Sequence, residues 1–88
     1  MNKEIAKKLI NLGFKTGGLG FIYLIDAIEL MRDNLTIKTC VLYETVAVKN
    51  NTISRSVERA IRHVKETSNN EYKDMKNNEM IRRLVFEV

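Results

Sequence analysis

Residues 54 to 66, "SRSVERAIRHVKE", set Arg55, Arg59 and Arg62 at intervals of four and three, with Glu58 between them and the chain's one histidine, His63, alongside. On a helix turning about 100° per residue with Arg55 at zero, Arg59 falls near about 40°, Arg62 near about −20° and Glu58 near about −60°. Val57, Ala60, Ile61 and Val64 fall between about 140° and about 240°, so the segment has an apolar back and a basic front. Such a front can be a solvated face, with Glu58 and Arg62 paired at i, i+4 for about a few tenths of a kcal/mol. It can also read nucleic acid. An arginine suits a bidentate contact to guanine O6 and N7, a glutamate can accept from cytosine N4, and other cations hold phosphates.

Other chemistry finds less support. His63 has no cysteine pair or second histidine to share a metal, so a phosphate contact or a plain surface position is the expectation, with no metal and no cofactor. A single histidine on a basic helix face supports no Ser-His-Asp arrangement, and with no paired acid and base in view an enzyme is not expected. "GFKTGGLG" lacks the Gly-Lys-Ser/Thr ending of a phosphate loop and follows no predicted strand, so it reads as a flexible turn. Lys3, Lys7, Lys8 and Lys15 are solvated helix lysines by default, with phosphate contacts as the other use. Cys40, the lone cysteine, reads as a small core residue in a reducing compartment, the cytoplasm.

The 88 residues make one small domain, read as residues 1–88, with a net charge of +4. The hydrophobic share of 44% allows a packed core, and the charged share of 30% fits a protein outside the membrane. The most apolar run, "LGFIYLI", is far too short to span a bilayer, and no signal-length stretch opens the chain. The excess of positive charge is local. Residues 1 to 20 carry four lysines against one acid, and residues 53 to 66 carry four basic groups against two acids. A modest basic excess of this kind favours polyanions without specifying one.

These side chains need helices to position them. No proline occurs, and all four glycines fall between positions 13 and 20. The expectation is an all-α bundle of about five helices. The first runs from an N-cap at Asn2 to Leu12, with Ile5, Leu9 and Leu12 on one face and Gly13 as its stop. The second carries Phe21, Leu24, Ile25, Ile28 and Met31. "TIKTCVLYETVAVKN" has strand-like propensity, but its length and the cluster of Val41, Leu42, Val46 and Ala47 favour a buried helix. Thr52 is then the expected N-cap of a helix from Ile53 to about Thr67. "SNNEYKDMKNN" is expected to be a mobile polar connection with a turn near Tyr72 to Met75. Ile81, Leu84, Val85 and Val88 mark an amphipathic closing helix.

The third and fourth helices have the spacing of a helix-turn-helix, over about residues 36–67. That motif needs a small residue where the helices cross, a turn residue tolerant of positive φ about four later, and an apolar anchor about six beyond it. Ala47, Asn51 and Val57 stand at those positions.

"GFIYLIDAI" followed by "VLYETVAVKNNTISRSVERAIRHVKE" resembles the C-terminal effector domain of the sporulation stage-zero response regulators, transcription factors that initiate endospore formation. The elements are Gly20, Phe21, Tyr23 and Leu24, then Val41, Leu42 and Tyr43, then Asn51 and Thr52, then the unbroken "VERAIRH" of Val57 to His63. "NNEMI", residues 77 to 81, is similar to the start of that family's last helix. The resemblance implies a transcriptional regulator that binds double-stranded DNA, with the helix at about 53–67 in the major groove of a G-containing box, often as a head-to-tail pair on adjacent boxes. It implies that Glu58 and Arg59 approach base edges while Arg62 and His63 hold phosphates. Three departures within the chain stand out. Arg55-Ser56 replaces the family's Ser-Arg, which moves one arginine by about 100° around the helix and changes the sequence expected to be read. Asn50 replaces an apolar turn residue, and the connection before the last helix is shorter than in the family. No receiver domain accompanies the domain here, so control is expected from expression level, dimerisation or another protein. The alternative expectation is an interaction module that pairs with a full-length regulator of this type without reading DNA.

Overall fold

The computed structural model describes residues 2–88. Asn2 caps the first helix, α1 (Lys3–Asn11), as its side-chain Oδ1 accepts from the backbone N–H groups of Glu4 at 3.0 Å and Ile5 at 3.1 Å. These are two of the donors that a helix start leaves without partners. The other end closes just as locally. Gly13 takes φ +97°, its N–H donates to the Ile10 carbonyl, and that of Phe14 donates to the Leu9 carbonyl. This is the pattern in which a left-handed residue reverses the chain and turns the following apolar side chain inward. Phe14 is accordingly buried.

Helix α2 (Leu19–Asp33) is the central element. Phe21, Tyr23, Leu24, Ile25, Ala27, Ile28 and Met31 are buried around most of its circumference, because α3 (Thr39–Lys49), α4 (Ser54–Glu66) and α5 (Asn77–Glu87) all pack on it. Gly20 sets its approach to α4. A Cβ there would overlap the Ala60 carbonyl oxygen and carbon and crowd the Val64 side chain, so a hydrogen is all that fits. The glycine of the "GFIYLIDAI" element is thus a contact between helices.

The segment with strand-like propensity is helical, as its length and apolar cluster predicted. Leu42, Tyr43, Val46 and Ala47 form the buried stripe of α3. Val41, expected inside, is instead 44% exposed, because it shares the opposite face with Thr45 and Val48, while Tyr43 faces inward. Cys40 is also exposed, which corrects its reading as a core residue. It lies on the first turn of α3, one position before Val41 on the outward side.

After α4 the chain is tied down, and the connection expected to be mobile is pinned by named contacts. Asn70 donates through Nδ2 to the Leu12 carbonyl at 2.8 Å, while its Oδ1 accepts from the Tyr72 N–H and the Ser68 hydroxyl. Tyr72, on a single 3₁₀ turn over Glu71–Asp74, is fully buried and stacks on Phe14 with ring centroids 5.8 Å apart. Helix α5 then buries Met80, Ile81 and Leu84, with Val88 behind them and Val85 half-buried. Lys8 reaches across from α1 to donate to the Val88 carbonyl at 3.0 Å. Among the described residues the architecture is five α-helices and one 3₁₀ turn, the all-α bundle anticipated.

Candidate nucleic-acid interface

The turn between α3 and α4 has the backbone that the Ala47, Asn51, Val57 spacing required. Asn51 is the one non-glycine residue with positive φ among those described, at 54°. Asparagine tolerates this region better than most side chains. The Asn51 N–H donates to the Val48 carbonyl and the Thr52 N–H to the Ala47 carbonyl, ending α3 as Gly13 and Phe14 end α1. Thr52 is not the N-cap of α4, because the first hydrogen-bonded N–H groups of the helix, those of Ser56 and Val57, donate to the Ile53 carbonyl. Ile53 occupies that position, with no side-chain cap, and the helix starts at Ser54. Ala47 and Val57 are both buried at the crossing.

A second device holds the turn from behind. The Asp26 carboxylate, only 6% exposed on α2, accepts from Lys49 Nζ at 3.0 Å and from Asn50 Nδ2 at 2.9 Å. Asn50 also donates to the Val46 carbonyl at 2.8 Å. Its amide satisfies a buried acid, which gives the departure at Asn50 a structural reason. The pairing holds the Lys49 ammonium above its ordinary value, through the hydrogen bond to Asp26 first and the charge attraction second.

Helix α4 divides as its sequence does. Val57, Ile61 and Val64 are buried, while Arg55, Ser56, Arg59, Arg62 and His63 are exposed and Glu58 is half-buried. Lys65, unremarked in the sequence, is buried along its stem and donates from Nζ to the Met75 carbonyl. The charges fall into two sets. Arg62 Nη2 meets Glu58 Oε2 at 3.1 Å, the i, i+4 pair foreseen for a solvated face. Arg55 and Arg59 make no ion pair among the described residues. Beneath the Glu58–Arg62 pair three helices meet, with Asn77 of α5 donating to the Glu58 carbonyl at 3.2 Å and Tyr43 of α3 beside them. Burial raises the Tyr43 phenol above its ordinary value, the Asn77 side chain opposes it, and Glu58 and Arg62 pull in opposite directions.

Along one flank of α4 runs a groove of about 770 Å³, bounded by Lys15, Gly18 and Leu19 on one side and Ser56, Arg59 and His63 on the other. Arg59 therefore belongs both to the front of the helix and to the rim of this groove. Arg55 and Arg62 lie outside it.

No helix among the described residues is long and apolar enough to cross a membrane. No curated protein and no solved structure matches the chain. A family does. Residues 5–87 match the family described as "Sporulation initiation factor Spo0A C terminal", a family of DNA-binding effector domains in transcription regulation. The match begins in the first turn of α1 and ends with the last residue of α5, taking in the Asn51 turn and both helices around it. The chain therefore belongs to the Spo0A C-terminal family of sporulation effector domains.

Proposed function

We propose that this single domain is a sequence-specific regulator that inserts α4 into the major groove of double-stranded DNA in the cytoplasm. The observation that carries the reading is the pair of unpaired arginines, Arg55 and Arg59, on the exposed side of a helix whose opposite side is locked by Val57, Ile61 and Val64. Arg59 and Glu58 meet base edges, and Arg62 and His63 take phosphates, the roles that the family resemblance implies. Glu58 and Arg62 neutralise each other in the free domain. Their side chains are 36% and 47% exposed, so the pair is weak and opens readily when a phosphate competes for Arg62. Arg55 stands at the groove-facing start of α4 and replaces the base contact that Ser56 no longer makes.

The test retains random duplexes on the purified chain and sequences them. Arg59→Ala is expected to weaken binding to the preferred site by about 1–3 kcal/mol and to relax preference at one position. If affinity and preference stay unchanged, α4 is not the reading helix. A second reading, an interaction module that pairs with a full-length regulator without reading DNA itself, is favoured by Val48 and Ile53. These side chains are 78% and 64% exposed beside the turn. Absence of duplex binding at low salt, with a regulator chain captured in its place, selects that reading.

A further inference from the structure

The groove beside α4 brings a cation from outside the helix-turn-helix next to the cations of its second helix. Lys15 comes from the loop after α1, while Arg59 and His63 come from α4, and no acidic side chain lines the groove. On the helical wheel Ser56 and His63 lie at about 100° and about 80°, next to Arg59 and on one side of the basic front. A duplex lying against that front brings one of its sugar-phosphate strands over this flank. The concave shape depends on Gly20, which lets α2 close on Ala60, and on Gly17 and Gly18, whose missing side chains leave open space.

We infer that this groove seats one phosphodiester of the duplex read by α4, clamped between Lys15 of the interhelical loop and His63. The inference rests on the major-groove reading of α4 and extends the DNA-binding surface to the loop before α2. Lys15 is a point charge on a flexible stem, suited to a phosphate and indifferent to sequence. It therefore contributes equally at every box.

The experiment measures duplex affinity against salt for the full chain, for Lys15→Gln and for Gly17→Glu, with Lys7→Gln on the exposed side of α1 as the charge-matched control. Nothing lies within 4 Å of a Cβ built at Gly17, so that variant has room to fold, as circular dichroism checks, and it places a carboxylate at the seat. Lys15→Gln is expected to lower the salt slope by about one, equivalent to about a threefold difference in how much affinity falls between about 50 and about 200 mM salt. Base preference is expected to stay constant. A scan of neutral methylphosphonate linkages is expected to find one position that weakens the parent chain and has a smaller effect on Lys15→Gln, in which only His63 still meets that linkage. Equal behaviour of Lys15→Gln and Lys7→Gln, or additive losses with the neutral linkage, overturns the clamp. If Arg59→Ala still relaxes preference, the reading of α4 survives that failure. If Arg59→Ala is silent too, both fall. Inorganic phosphate supplies the last arm. Shifts of the Gly17 and Gly18 amide resonances in phosphate, with a Lys15→Gln variant that binds DNA like the parent chain, assign the seat to a free anion and overturn the strand contact.

Discussion

Arg59 and Arg62 are three residues apart on one helix, yet their surroundings differ. Arg62 spends its charge on Glu58 at 3.1 Å, whereas Arg59 faces solvent at the rim of the groove. The Glu58–Arg62 pair therefore lowers the positive potential of the front. Glu58→Gln is expected to change stability by no more than about a few tenths of a kcal/mol, since the pair is an i, i+4 contact open to solvent. The same variant is expected to bind all duplexes more tightly, because a carboxylate no longer repels phosphates. On the proposed reading of α4, it is expected to lose preference at the one position where Glu58 would accept from cytosine. Urea titration and duplex binding on matched and mismatched sites check the two halves separately.

At the scale of elements, one helix end and one helix contact set the position of α4. Asn51 in the left-handed region ends α3 and redirects the chain within a few residues, so α4 starts at Ser54 without a side-chain cap of its own. Gly20 then brings α2 against the back of α4 at Ala60. Gly20→Ala removes an intrinsic helix penalty of about 1 kcal/mol, but it places a methyl inside the Ala60 carbonyl. The obstacle is backbone and has no rotamer by which to move aside, so overpacking wins. A net loss of about 1–3 kcal/mol is expected. A lower urea midpoint with unchanged slope, together with weaker DNA binding from a displaced α4, checks it.

For the whole molecule, two groups packed between helices hold their protons more tightly in the fold than in the unfolded chain. Burial raises the Tyr43 phenol above 10.0, and Asp26 raises the Lys49 ammonium above 10.5. In each case the folded state holds the proton more tightly than the unfolded chain. The associated stability is present in full below the ordinary values. It is lost as pH rises through the raised ones, because the unfolded chain releases its protons first. The fold is expected to weaken with pH above about 10, with the Lys49 share small because its side chain is 61% exposed. Urea midpoints along an alkaline series check this, and Tyr43→Phe is expected to flatten the decline.

How much of this was legible depends on the distance between the partners. The Asn2 cap, the stop at Gly13, the left-handed turn at Asn51 and the apolar back of α4 all arise between residues a few positions apart. Their signals lie in the order of the chain. The side of α3 that faces inward was read with Val41 in place of Tyr43, because a short apolar helix has no polar side to mark its orientation. The connection after α4 looked like a tether because its composition is polar, yet those polar atoms have specific partners, as Asn70 does with the carbonyl of Leu12, 58 positions away.

The sequence by itself determined the helices, the helix-turn-helix spacing and the family to which they point, because periodicity, caps and turn residues are short-range properties. Only the tertiary structure decided that Asp26 satisfies Asn50, that Gly20 admits Ala60, and that Lys15 shares a groove with His63. Those pairings join residues far apart in the chain, and the packing of α2 against α3 and α4 brings them together.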